Sequence, residues 1–111
     1  MKYLKLFEDN DSYKEITVDE YNNYETLLFT HEEVNKIKLI IKDFDNFRDY
    51  DHKEFLYQVI TLRLKGIILY ICKLPDDYFL IKRIKPLEIP LTKYFLVDQF
   101  YGLKKFLKNK I

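Results

Sequence analysis

Apolar residues recur at two different spacings along this chain, helical in the first half and strand-like in the second. Val34, Ile37, Ile40, Ile41 and Phe44 fall three or four residues apart, as one buried helical face requires. Thr30-His31-Glu32-Glu33 stands just before them as a capping box, in which the Thr hydroxyl and the Glu carboxylate each satisfy a free N–H. Glu32 and Glu33 also lie where the helix dipole favours anions. This predicts a helix over 31–43. A second box, Thr17-Val18-Asp19-Glu20, predicts a shorter helix over 18–26. Before it, residues 2–8 alternate as a short strand and Glu8 to Ser12 reads as a solvated loop. The turn-forming run from Asp43 to Asp51 ends the long helix, and its aromatics are expected to fold back onto the core.

From Glu54 onward the residue types change. Phe55 to Leu64 is dense in Leu, Val, Ile, Thr and Tyr, and is read as one strand. Lys65-Gly66 is a tight turn, and Ile67 to Cys72 is an apolar run suited to a central strand covered on both faces. Leu74-Pro75-Asp76-Asp77 is the next turn, and Tyr78 to Ile84 the next strand. Pro86 and Pro90 bracket an extended connection, and Tyr94 to Val97 forms a last strand. Asp98 is expected to cap a C-terminal helix that buries Phe100, Leu103, Phe106 and Leu107. Gly102 inside that helix costs about 1 kcal/mol relative to alanine. It is expected to admit close approach to the sheet, against Tyr70 or Phe79. Consecutive strands joined by tight turns form a meander. The order therefore predicts one α+β domain over 1–111. Its antiparallel sheet has three to five strands, with two or three helices packed on one face.

Composition narrows the chemistry. Ten Tyr and nine Phe without a Trp, alongside abundant Lys, Ile, Asn and Asp, match the codon bias of an AT-rich genome. The single cysteine, Cys72, excludes an internal disulfide, which fits a reducing, cytoplasmic setting. No apolar run reaches the eighteen or so residues of a membrane span, and the first residues lack the features of a signal peptide, so no membrane partner is expected. His31, His52 and Cys72 show no metal-ligand spacing, and Asp43, Asp45, Asp49 and Asp51 lack the Gly and Glu of a calcium loop. Two glycines cannot build a phosphate-cradling loop, and Ser12, the lone serine, has no nucleophile elbow around it. Cys72 reads as a small inert hydrophobe. No catalytic residue, metal or cofactor is therefore expected. The charges split unevenly: residues 1–54 carry eight Lys/Arg against fourteen Asp/Glu, and residues 55–111 eleven against four. Either the halves attract one another on folding or the surface is bipolar and steers a partner.

Several short motifs run together through most of the chain: Met1 to Glu8, Glu15-Ile16-Thr17-Val18-Asp19-Glu20-Tyr21, Leu69 to Ile81, and Asp98-Gln99-Phe100-Tyr101-Gly102-Leu103. The combination resembles a group of small uncharacterised proteins encoded by large tailed phages and similar viruses with AT-rich genomes. In that group Cys or another polar residue often precedes the Asp-Gln-Phe, whereas Val97 stands here, which argues against a functional thiol. The resemblance implies an origin and a fold, not an activity. Two partner classes follow as expectations. A protein partner would meet the aromatics that periodic packing explains least: Tyr21, Tyr24, Phe47, Tyr50 and Tyr101. Alternatively, single-stranded nucleic acid would lie along Lys104, Lys105, Lys108 and Lys110 of the C-terminal helix, with Tyr101 stacking. A monomer or a homodimer fits either.

Overall fold

A computed structural model of the protein describes residues 12–43, 50–64 and 66–110. The expected strand at 2–8, the aromatics of 44–49 and Lys65 lie outside the described residues. The elements run in the order β1 (Tyr13–Ile16), α1 (Val18–Asn23), α2 (His31–Asp43), β2 (Tyr50–Phe55), β3 (Ile60–Leu64), β4 (Ile67–Leu74), β5 (Tyr78–Ile84), β6 (Thr92–Val97) and α3 (Gln99–Lys110). All six strands form one antiparallel sheet in the order β1-β6-β5-β4-β3-β2. The α+β class and the meander are as expected. The strand count exceeds three to five for two reasons. First, Tyr13–Ile16 adds an edge strand beside β6. Second, the run from Phe55 to Leu64 is not one strand: it turns at 56–59, where the Leu56 N–H donates to the Val59 carbonyl at 3.2 Å. That turn contains neither Gly nor Pro, so nothing in the local sequence marks it.

Strand side chains alternate between two faces. Ile60, Leu62, Leu69, Ile71, Phe79, Ile81, Phe95 and Val97 point to one face, which takes Val34, Ile37, Ile40 and Ile41 of α2 and Leu103, Phe106 and Leu107 of α3. Most of the phenylalanines are spent here. Phe106 meets Phe95 with ring centroids 4.9 Å apart, and Phe79 lies edge-on to both Phe29 and Phe100 at 5.5 and 5.3 Å. Ile16, Leu74, Tyr78, Leu80 and Leu96 form a smaller cluster on the opposite face, joined by Tyr21, Cys72 and Tyr94. The helices therefore do not share one face: α1 lies opposite α2 and α3. Its capping box forms in full, but the helix stops at Asn23 rather than residue 26. It buries no residue completely, so only Tyr21 against Tyr94, with centroids 4.4 Å apart, anchors it.

The chain then changes faces around the end of the sheet. β4 outruns β3, whose first residue Ile60 pairs with Ile71. Leu27 takes the vacated place, bridging Lys73, and Phe29 is buried in the main cluster beyond it. Two aspartates, Asp76 and Asp77, make the β4–β5 turn with φ of 61° and 66°, a left-handed geometry that Asp tolerates better than most residues. α3 starts when the main-chain carbonyl of Asp98, not its side chain, accepts from the Gly102 N–H at 2.7 Å. A Cβ on Gly102 would collide with the Ser12 carbonyl and crowd the backbone of Val97. The close approach expected there is real, but its neighbours are the backbones leading into β1 and ending β6, not Tyr70 or Phe79.

Candidate functional site

The end of the sheet where the chain changes faces holds the clearest site. Backbone bonds fix it: the Leu27 N–H donates to the Lys73 carbonyl at 2.9 Å, and the Phe29 N–H to the Tyr57 carbonyl at 2.8 Å. With Phe29 turned into the core, Leu28 between these anchors is held outward and is 62% exposed. Leu56 and Tyr57, in the turn between β2 and β3, stand exposed on the strand side of the same junction. The Tyr57 hydroxyl lies 3.1 Å from Nδ1 of His31, which links the turn to the start of α2. On the other side of Leu27, Tyr24 opens onto a cleft of about 270 Å³ lined by Asn23, Glu25, Leu74, Pro75 and Tyr78. Burial in this cleft, followed by the charge of Glu20, raises the pKa of the Tyr24 phenol.

Beneath the patch lies an ion pair. Lys73 reaches Glu33 Oε1 at 2.8 Å. The same carboxylate accepts the Thr30 N–H at 2.8 Å, and the Thr30 hydroxyl accepts the Glu33 N–H at 3.1 Å. Burial pushes the Glu33 carboxyl up, but the bonds from Lys73 and Thr30 outweigh it and hold the pKa below its ordinary value. The result is an apolar surface with Tyr at its rim over a neutral ion pair. Such a surface can bind apolar side chains. Cys72 is half-buried, and burial pushes its thiol up, away from the reactive thiolate. Among the described residues no three His, Cys, Asp or Glu side chains converge as a metal site.

The sequence-derived contact residues scatter. Tyr24 belongs to the apolar end. Tyr21 is consumed by Tyr94 and Cys72 in the smaller core; burial first, then the charges of those two neighbours, raises its phenol pKa. Tyr50 opens β2, its side chain outside the described residues, as is the whole of Phe47. Tyr101 stands on α3 and is 59% exposed. Leu27, Leu28, Leu56 and Tyr57 were missed. The available signal was an apolar pair, Leu27-Leu28, lying outside any periodic element.

On α3, Tyr101, Lys104, Lys105 and Lys108 fall at i, i+3, i+4 and i+7, one stripe along the helix. Lys104 and Lys108 are exposed, and the Lys105 ammonium sits 5.0 Å from the Tyr101 ring centroid. Lys110 ends the helix, its side chain outside the described residues. Beside the stripe, Lys36, Leu39, Asp43, Phe100 and Lys104 line a shallow groove of about 290 Å³ between α2 and α3. No helix among the described residues is long and apolar enough to cross a membrane. No protein-family model, no curated protein and no solved structure matches the chain.

Proposed function

We propose that this chain is a small virus-encoded accessory protein of the host cytoplasm that works by binding another protein, without catalysis or a cofactor. One observation carries the reading: Tyr24, Leu27, Leu28, Leu56 and Tyr57 are exposed together on backbone fixed by hydrogen bonds. Contiguous exposed apolar patches on a small domain often mark interaction sites. Their rigid backbone lowers the ordering cost of binding. Tyr24 and Tyr57 supply the amphipathic anchors that carry interface energy.

The test is affinity capture with the parent chain and with a Leu28→Ser/Tyr57→Ser variant, at low and moderate salt, with and without nuclease. The reading expects a discrete protein retained by the parent at moderate salt, indifferent to nuclease and lost with the variant. Equal retention by both chains removes the patch as the binding site.

A second reading, single-stranded nucleic-acid binding, is favoured by the basic stripe of α3. Lys105 lies over the ring that a base would stack on, so binding there has to displace it. Retention confined to low salt and abolished by nuclease would select this reading.

A further inference from the structure

The loop between β5 and β6 is built unlike any other part of the described surface. Leu87 is 100% exposed, Ile89 96% and Leu91 53%, so three aliphatic side chains stand away from the body. Between them Glu88 turns the opposite way. Its carboxylate meets Arg83 at 2.6 Å, Lys93 at 2.9 Å and Lys85 at 3.6 Å, which pins it to the sheet end. The loop is closed by the Lys85 N–H donating to the Leu91 carbonyl at 2.8 Å, and Pro86 and Pro90 fix φ on either flank of the tip. Alternation thus sorts the segment into an apolar tip and a polar base. Arg83, Lys85 and Lys93 set three cations against Glu88 in the base, with Arg83 buried beneath it, and Glu15 reaches Lys93 at only 4.0 Å.

We infer that this loop is a docking finger for an anionic lipid surface, with Leu87 and Ile89 entering the acyl boundary and the basic base at headgroup depth. Charge complementarity selects this occupant. The loop's one carboxylate is outnumbered by the three cations that hold it, which leaves the partly exposed Lys85 and Lys93 at the level where anionic headgroups lie. Size points the same way. A projecting tip of three aliphatic side chains falls far below the roughly 800 Å² per side of a stable protein interface and lacks aromatic or Arg anchors. A membrane surface accepts a tip of any outline. No spanning segment is needed, so the shortness of the apolar runs does not bear on it. Binding through so few groups is weak and reversible, and independent of the patch at the opposite end of the sheet.

The test is co-sedimentation of the full chain with vesicles of equimolar phosphatidylcholine and phosphatidylserine, and with vesicles of phosphatidylcholine alone. The expected result is binding to the anionic vesicles, weakened by salt. A Leu87→Ser/Ile89→Ser variant should bind them at least about tenfold more weakly, from the lost apolar transfer, while its thermal melting stays with the parent. Failure of the parent to bind anionic vesicles, equal binding to phosphatidylcholine alone, or equal binding by the variant each overturns the proposal. The first of these outcomes leaves a protein pocket as the receptor for the tip.

Discussion

Gly102 shows how one residue type can decide a helix–sheet contact. It is buried, and its missing Cβ lets α3 lie against the backbone ahead of β1 and at the end of β6. Alanine restores about 1 kcal/mol of helix propensity. It also forces backbone apart in a filled space, a change of the kind that costs about 1–3 kcal/mol or more. Backbone cannot rotate away as a side chain can, so the clash wins. Gly102→Ala should lower unfolding stability by about 2 kcal/mol, read as a lower urea midpoint at unchanged slope. Glu88 is the electrostatic counterpart. The hydrogen bond from Lys93 first, and then the charges of Arg83, Lys93 and Lys85, hold its pKa below the ordinary glutamate value of 4.5. A depressed carboxylate contributes stability above its unfolded pKa and loses that contribution as pH falls through the folded one. Glu88→Gln should therefore melt lower than the parent at neutral pH. The difference should shrink below pH 4.5, which parallel melts across an acid series would read directly.

At the scale of elements, the two capping boxes look alike in sequence but hold different amounts of structure. Both form in full. Around the first box only a six-residue helix grows, because Tyr21 is its only inward anchor. The second precedes four buried aliphatics and also ties Glu33 to Lys73 of β4. Thr30→Ala should destabilise the domain by about 1 kcal/mol, the usual value of a lost cap. Thr17→Ala should cost less globally and instead fray α1, seen as faster amide exchange over 18–23. This contrast was legible only in part. The periodic run from Val34 to Ile41 declared a long helix, whereas Tyr21-Asn22-Asn23-Tyr24 carried no period that would place its end. The break at 56–59 was illegible for a related reason: Leu56-Tyr57-Gln58-Val59 has strand-forming types throughout, and only the return of β3 along β4 forces the turn.

For the molecule as a whole, the uneven charge along the chain partly resolves by contact. Glu33 from the acidic half meets Lys73 from the basic half, and Glu15 meets Lys93. The remaining surface divides into an apolar end, a basic stripe on α3 and the β5–β6 finger. These three regions should separate by salt. Contacts through Leu28 and Tyr57 should persist as ionic strength rises, while any oligonucleotide held by Lys104, Lys105 and Lys108 should be lost steeply, in proportion to the phosphates neutralised. The core itself should be intolerant. Phe106, fully buried against Phe95 and Tyr13, should cost about 3–5 kcal/mol when cut to alanine, a large fraction of the roughly 5–15 kcal/mol that holds a domain together, read as a lower urea midpoint.

What the sequence determined by itself is whatever depends on near neighbours. The span of α2, both capping boxes, the strand Tyr78–Ile84 and the glycine turn at Gly66, with φ of 84°, all follow from residues within a few positions of one another. Tertiary structure alone decided which face each helix covers, since an amphipathic stripe states that it will be buried but not on which side of a sheet. It also decided the fate of the aromatics. Tyr21 and Tyr24 are three residues apart and similar in local context, yet one is taken up by Tyr94 and the other faces a cleft. Exposure of Leu28, Leu87 and Ile89 could not be read from residue type, because apolar side chains are expected inside. Only the closure of backbone hydrogen bonds around them holds them out.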